Sequence, residues 1–571
     1  VITLKRILKF VNPYKKYILM SIIFALLSVS FTLLTPVLIG MGVDLVIGAG
    51  NVDFKGLLKI LFYLLASACL ASVFQWMMSV STNKLTYNTS RDMRKLAFER
   101  LVKMPLGFVD NHQHGDIISR ITADIEQVAD GLLQGFTQLF SGIVTILGTL
   151  AFMFFINPYI TLVVIILTPL SFFISTRIAK MSYDMFSKQF QVQGELTSYI
   201  NEMVGNQRVI KAFRYEDKAQ ATFEEINSRL YGYGVKAQFY SSLTNPSTRF
   251  VNGLVYAAVG IAGAILAVSG LLTVGQITSF LNYANQYTKP FNEISGVITQ
   301  LQSAIAGAER IFYLIDGKTE SDDTEKLEIS DCKGYVSFEN VDFSYNKKKT
   351  LIRNFNLKVS PGMRVAIVGP TGSGKTTLIN LLMRFYDTDK GTIWVDETDI
   401  KNIKRNSLRR LYGMVLQETW LFEGTIKENI AYGKKDASMD DIIKAAKAAY
   451  AHSFIVKLPN GYDTMIVGSG DNLSQGQRQL LCIARAMLMS PPMLILDEAT
   501  SSIDTLTEIR IQEAFQKLMQ GKTSFIVAHR LSTIRNSDII LVMKDGQIAE
   551  QGNHQQLMAN RGFYFQLNDV T

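Results

Sequence analysis

Hydrophobic and polar positions divide the chain into two unlike halves. Up to about residue 310, long uncharged runs alternate with long polar stretches of helical period. Beyond it, short apolar runs of strand length are punctuated by glycine and charge. The uncharged runs Tyr17–Val43, Ile60–Asn83, Gly131–Thr176 and Phe250–Thr288 are each long enough to cross a bilayer, which takes about 20 helical residues. The third and fourth are over-long and carry turn signals, Asn157-Pro158 and Ser269-Gly270. The pattern therefore predicts six spans, at 17–43, 58–83, 131–156, 159–178, 248–269 and 274–306. Pro36 is expected to kink the outer end of the first. Length and regular spacing exclude six core helices of a soluble protein. The first run is span-length and lacks a small-residue cleavage site, so it reads as a retained span rather than a leader.

The polar stretches 84–130 and 177–249 are too long for simple connectors and keep a helical pattern, so they read as helices continuing past the membrane. Each breaks in its middle, at Met104-Pro105-Leu106-Gly107-Phe108 and at Phe213-Arg214-Tyr215-Glu216-Asp217, where short transverse elements are placed to touch another domain. Segments 1–16, 84–130 and 177–249 carry five, seven and ten lysines plus arginines, against two in 44–59. The positive-inside rule then puts the N-terminus, both long stretches and the C-terminal half in the cytosol. The polar segment 317–331 reads as a linker, dividing a membrane domain (1–316) from a second domain (332–571).

The second half is organised around Gly369-Pro370-Thr371-Gly372-Ser373-Gly374-Lys375-Thr376-Thr377. It lies between a predicted buried strand, Arg364–Val368, and an amphipathic helix from Leu378. Glycine, four residues and Gly-Lys-Thr in a strand–loop–helix context make a phosphate cradle. Backbone N–H groups and the helix N-terminus face the anion, Lys375 adds a point charge, and Thr376 offers a hydroxyl to Mg²⁺. Two further apolar strands are predicted to end in polar groups, Met493–Asp497 followed by Glu498, and Ser524–Val527 followed by His529. A third, from Met414, leads to Gln417. In an open α/β sheet, ligands gather at such strand ends. Asp497 is suited to hold Mg²⁺, Glu498 to orient or deprotonate an attacking water, and His529 to meet a terminal phosphate.

Charge and composition change this picture little. The net charge of +9 sits largely in segments flanking apolar runs, which makes it an orientation signal and argues against a nucleic-acid partner. Cys69, Cys332 and Cys482 have no metal-ligand spacing and read as small buried hydrophobes facing reducing cytosol rather than as a disulfide framework. Within the spans, ionisable residues are almost confined to Lys289 and Glu293, one helical turn apart around Pro290. They either border a wet substrate path or snorkel at the cytosolic interface. Gln75, Trp76, Gln138, Tyr256, Tyr283 and Tyr287 either line a cavity or pack helices.

Leu473-Ser474-Gln475-Gly476-Gln477 resembles the signature of ATP-binding cassette exporters, and the likeness covers essentially the whole chain. It implies a membrane α-helical domain, six transmembrane helices with long cytosolic extensions, followed by an α/β P-loop nucleotide-binding domain with a helical subdomain. By resemblance Tyr345 stacks on adenine, Gln417 senses Mg²⁺, Asp504 belongs to the loop after Ser501-Ser502-Ile503, and His529 is the switch histidine. Phe108–Asp110 through Gly115 and Arg120, and the segment near Arg214 to Phe223, are similar to the family's coupling segments. The family's geometry implies a dimer in which each ATP lies between one chain's phosphate loop and the other's signature. Two positions depart from the pattern: Gln475 stands for the first signature glycine, and Ser469 for a usual glutamate. With the in-cis catalytic positions intact, this resembles the catalytic subunit of a heterodimeric exporter; a homodimer tolerating Gln475 is the alternative. The resemblance implies ATP and Mg²⁺, a second half-transporter, membrane lipids and a small amphipathic substrate. A lipid flippase or peptide exporter, and an ATP-gated or regulatory subunit, are the competing readings.

Overall fold

The computed structural model describes residues 2–46, 52–320, 323, 325–329, 331–346, 350–416, 419–434, 436–497, 503–527 and 534–569; within these, some helical side chains, 291–296 among them, are not described. The chain forms two compact units, Val1–Lys103 with His112–Gly317, and Met104–Asn111 with Lys318–Thr571.

The first unit is helical. It holds α1 (Ile2–Val11), α2 (Lys15–Asp44) and α3 (Phe54–Val102); the eight-residue excursion that contains α4 (Leu106–Asp110) belongs to the second unit. There follow α5 (His114–Ile121), α6 (Ala123–Gln134), a π-helical turn (Gly135–Leu139), α7 (Phe140–Ile156), α8 (Pro158–Gly205), α9 (Gln207–Ala212), α10 (Glu216–Ser242), α11 (Thr244–Val268) and α12 (Val274–Ile315). Among the described residues, Ile2–Asp44, Phe54–Val102, His114–Ile156 and Arg249–Val268 are long and apolar enough to cross a membrane, and Pro158–Leu167 is a shorter apolar stretch. Their large side chains are turned outward, with Trp76 68%, Phe155 88% and Val268 91% exposed, as suits a surface solvated by lipid.

Local chemistry sets the helix ends. Asn157 alone separates α7 from α8: its side chain accepts from the N–H groups of Tyr159 and Ile160, and Pro158 takes the first helical position. Thr273 and Gln276 form a reciprocal capping box on α12. Arg214, at φ 51°, breaks the second polar stretch between α9 and α10. Pro36 is accommodated inside α2, which runs on to Asp44.

The C-terminal end of α2 and the N-terminal end of α12 are in backbone contact. A methyl group on Gly275 would lie 2.0 Å from the Gly40 carbonyl oxygen, so only glycine allows the approach. Ser279 Oγ donates to the Pro36 carbonyl at 2.8 Å, the Tyr283 hydroxyl to the Leu33 carbonyl, and Thr273 Oγ1 and the Gly275 N–H to Asp44 at 2.7 and 2.8 Å. Tyr283 and Tyr287 are therefore buried packing groups, while Trp76 faces outward; of the three cysteines expected to be buried only Cys482 is, Cys332 being half-buried and Cys69 exposed on the outward side of α3.

The second unit is built on two sheets. An antiparallel one, in the order β2-β1-β4-β5, comprises β1 (Val336–Phe343), β2 (Ile352–Val359), β4 (Lys390–Val395) and β5 (Thr398–Asp399). The main sheet has the order β12-β11-β3-β10-β9-β6, from β3 (Arg364–Val368), β6 (Tyr412–Val415), β9 (Met493–Asp497), β10 (Thr523–Val527), β11 (Ile539–Lys544) and β12 (Gln547–Gly552). β11, β3, β10, β9 and β6 are parallel. Strand alternation sends Val365, Ile367, Ile495 and Phe525 into one core with α13 (Lys375–Leu382) and the antiparallel sheet. Ala366, Val368, Leu494, Leu496 and Ile526 enter the other. That core is covered by α15 (Ile426–Ala431), α16 (Met439–Ala448), α17 (His452–Ile455), α18 (Gln475–Met489) and α19 (Thr505–Met519); α14 (Arg405–Arg410) precedes β6. The hairpin of β7 (Gly424–Thr425) and β8 (Met465–Ile466) and the helices α20 (His554–Asn560) and α21 (Phe563–Asp569) complete the unit.

Candidate functional site

Three adjacent parallel strands converge on one edge. Val527 of β10 lies opposite Ile367 of β3 on one side and Asp497 of β9 on the other. The loop leaving β3 therefore faces the strand-end carboxylate. Gly369, Gly372 and Gly374 have φ of 152°, 81° and 102°, and a Cβ on Gly369 would sit 2.2 Å from the Met543 carbonyl. The turn thus demands glycine, and Gly374 delivers the chain into α13.

A cleft of about 330 Å³ opens here, lined by Leu351, Thr371, Gly372, Gly374, Lys375, Thr376, Thr377, Asp497 and Val527. Lys375 Nζ donates to the carbonyls of Gly369 and Pro370 at 2.8 and 3.0 Å. Burial pulls its pKa below the ordinary lysine value, and Asp497 opposes that shift. Ser373 Oγ is buried without a hydrogen-bond partner, an unsatisfied polar atom in a loop already shaped for an anion. The donor set suits a polyphosphate, and Thr376 and Asp497 offer the hard oxygens that Mg²⁺ prefers.

Tyr345 is 45% exposed and stands edge-on to Phe343 and Tyr386, with ring centroids 4.9 Å away in each case. Its hydroxyl accepts from Asn380 Nδ2 at 3.0 Å. Gln417, Glu498 and His529, with Ser501 and Ser502, lie outside the described residues. Lys289 is exposed on α12, and the side chain of Glu293 is outside the described set.

The signature forms the start of α18. Ser474 is the N-cap in a capping box with Gln477: Ser474 Oγ accepts from the Gln477 N–H at 3.3 Å, and the Gln477 side chain accepts in return at 2.9 Å. Leu473 is buried in the helical core beneath it. Gln475 occupies the first helical position, where the backbone makes no demand for glycine. Gly476 does face such a demand, from packing: a Cβ there would lie 2.4 Å from Thr507 Cγ2. Asp504 caps α19 by accepting from the Thr507 N–H at 2.9 Å, and that bond holds its carboxyl below the usual range. None of residues 473–477 lines the cleft.

Sequence reasoning missed Tyr386. Its hydroxyl donates to Asp110 at the end of α4, and a Cβ on Gly107 would lie 2.9 Å from its ring. The first transverse element is thus seated beside the aromatic pair Tyr345–Tyr386. No local pattern marks residue 386; the signal available was the aromatic pair Phe385-Tyr386 directly after the phosphate-loop helix.

Residues 18–291 match the ABC transporter transmembrane region and residues 352–501 the ABC transporter domain. A fatty acid ABC transporter ATP-binding/permease protein of Mycobacterium bovis is 41% identical over 526 residues, covering 92% of this chain and 83% of its own length. An ATP-dependent lipid A-core flippase of Syntrophus aciditrophicus is 34% identical over 570 residues, 99% and 94% of the two chains. The solved structure of a bacterial Atm1-family ABC exporter with ATP bound superposes with a TM-score of 0.78 at 28% identity, over 97% of this chain and 98% of that one. The cradle at the strand ends, the capped signature and the helical membrane unit are therefore those of a multi-pass, ATP-hydrolysing exporter half, and the chain belongs to the ABC transporter family.

Proposed function

We propose that the chain is one half of a dimeric pump that exports an amphipathic small molecule or lipid, with six spans and both termini in the cytosol. The observation that carries the dimer is the one-sided cleft, whose lining includes the phosphate loop and Asp497 but no signature residue. A second polypeptide's Leu-Ser-x-Gly-Gln segment completes it. Lys375, the loop N–H groups and Ser373 hold the phosphates, Tyr345 offers an exposed ring to the base, and Glu498 and His529 act on the water and the terminal phosphate. Thr376, Gln417 and Asp497 would hold Mg²⁺, which would neutralise phosphate charge. The Asp110–Tyr386 contact supports the view that nucleotide binding beside Tyr345 is felt by the first transverse element.

The fatty acid and lipid A relatives favour a lipid-like or amphipathic cargo. Vesicle uptake that requires ATP and disappears in Glu498→Gln is the expected result. Equal flux in that variant refutes pumping and favours a gated or regulatory subunit.

The partner is proposed to be a different chain. Gln475 leaves α18 intact but adds a side chain on the signature, while the cradle on the same polypeptide keeps its pattern. Robust substrate-stimulated ATPase activity from this polypeptide alone refutes that assignment and makes the complex a homodimer.

A further inference from the structure

The segment after α12 is not a slack tether. Glu320 receives both Nη atoms of Arg409, at 2.6 and 3.2 Å. Asp323 accepts from the Arg405 backbone N–H at 2.8 Å and from its guanidinium at 3.0 Å. Leu327 exchanges backbone hydrogen bonds with Asn402 and Lys404, both 2.9 Å, and Ile329 is held by Ser407.

What these arginines hold on their other side is the far end of the phosphate-loop helix. Arg409 Nε donates to the Met383 carbonyl and Nη2 to the Arg384 carbonyl, each at 3.3 Å, directly beyond α13. Its guanidinium lies 5.1 Å from the Phe385 ring centre. Arg405, only 7% exposed, also reaches Asp387, which pairs with the buried Arg384. A cation placed on the last carbonyls of a helix satisfies them and complements its dipole. A carboxylate that orients that cation fixes the helix end in turn. On the other side of Gly317, the end of α12 is held by Arg6, which donates to both oxygens of Asp316 at 2.6 and 2.7 Å. Only Gly317, Lys318 and Thr319 separate Asp316 from Glu320.

We propose that Glu320 and Asp323 are positioning residues that tie the last membrane-unit helix to the phosphate-loop helix through Arg409 and Arg405. This is a second coupling route beside Asp110–Tyr386, and it rests on the exporter reading above. Movement of α12 is passed along five residues to the end of α13, whose other end cradles the phosphates.

The test uses the assembled full-length transporter in nanodiscs, carrying Cys69→Ser and Leu271→Cys, with an environment-sensitive maleimide in the turn before α12. The readout is the fluorescence change on ATP–vanadate trapping, divided by the nucleotide trapped, so that misfolded molecules do not count. Glu320→Ala/Asp323→Ala is expected to cut that ratio about fivefold or more, while Glu320→Asp, which keeps a carboxylate, stays near the parent value. An unchanged ratio in the double alanine variant overturns the proposal, as does an equal loss in Glu320→Asp. A parent that traps nucleotide without any change fails the exporter cycle itself, and the proposal with it.

Discussion

Replacing Gly476 by alanine isolates what one methyl group does at the start of α18. The new Cβ would lie 2.4 Å from Thr507 Cγ2 and 3.3 Å from Ile503 Cγ2. Carbon atoms rest about 3.5–4.0 Å apart, so α18 and α19 must separate by more than about 1 Å or distort. Overpacking of this kind costs about 1–3 kcal/mol. Against it stands the better helix propensity of alanine, worth at most about 1 kcal/mol. The net expectation is a loss of about 1–2 kcal/mol, or roughly 2–8 °C in melting temperature for a domain of this size. Thr507→Ala deletes the offending methyl but keeps the backbone N–H that Asp504 accepts from. The double variant should therefore recover most of the loss, with a coupling energy of about 1–2 kcal/mol. Thermal unfolding of the full-length protein without nucleotide, run beside ATPase rates, measures both parts. An unchanged melting temperature in Gly476→Ala refutes the packing argument. If the double variant regains stability but not hydrolysis by the assembled transporter, the glycine is also needed where the signature faces a partner's nucleotide.

Further expectations concern the contacts around that centre. Tyr386→Phe should cost about 1 kcal/mol at an exposed contact of this type. Burial first, and then Asp110, push the Tyr386 phenol above its ordinary value, so the bond's contribution is complete below the unfolded pKa of about 10 and is lost only as pH rises through the higher folded one. The melting-temperature difference from the parent should accordingly be flat between about pH 6 and 9, and a difference that shrinks across that window contradicts it. Burial, with Asp396 beside it, pushes the Cys332 thiol up to about 12. Iodoacetamide at about pH 8 should alkylate it ~10³-fold more slowly than a free thiol, and mass spectrometry showing ready modification in folded protein would contradict that. Asp44→Ala removes the acceptor for Thr273 and Gly275 and should lower detergent-solubilised stability by about 1 kcal/mol, whereas Asp44→Asn should retain part of it.

The parts of the fold legible in the sequence are those set by neighbours along the chain. The phosphate loop shows because strand, glycines and helix follow one another, and the signature because Ser474 and Gln477 cap their own helix. The uncharged run 17–43 falls within α2, Lys15–Asp44. α3 and α8 continue far into polar sequence, as the helical pattern of 84–130 and 177–249 leads one to expect. Asp110 meets Tyr386 across 276 positions and Glu320 meets Arg409 across 89, and neither partner marks the other locally. Polar composition reads 317–331 as a linker, and only the tertiary structure shows Glu320 on the half-buried Arg409 and Asp323 on the buried Arg405. By sequence Tyr283 suits a cavity wall as well as a helix contact, and its hydroxyl bond to the Leu33 carbonyl makes it the latter.

The single residue between α7 and α8 has a mechanical consequence. α8 contains 48 residues, about 72 Å at 1.5 Å per residue; Asn157 joins its start to α7, and Tyr199 and Glu195 tie its far half to α10 through the Ala219 carbonyl and Arg229. Rotating α8 and α10 together by about 5° about the Asn157 junction displaces the far end of α8 by about 6 Å, more than one helical turn. That end is Gly205, which α9 separates from the break at Arg214. A small change in the backbone angles of Asn157 is thereby amplified into a large excursion at the second transverse element.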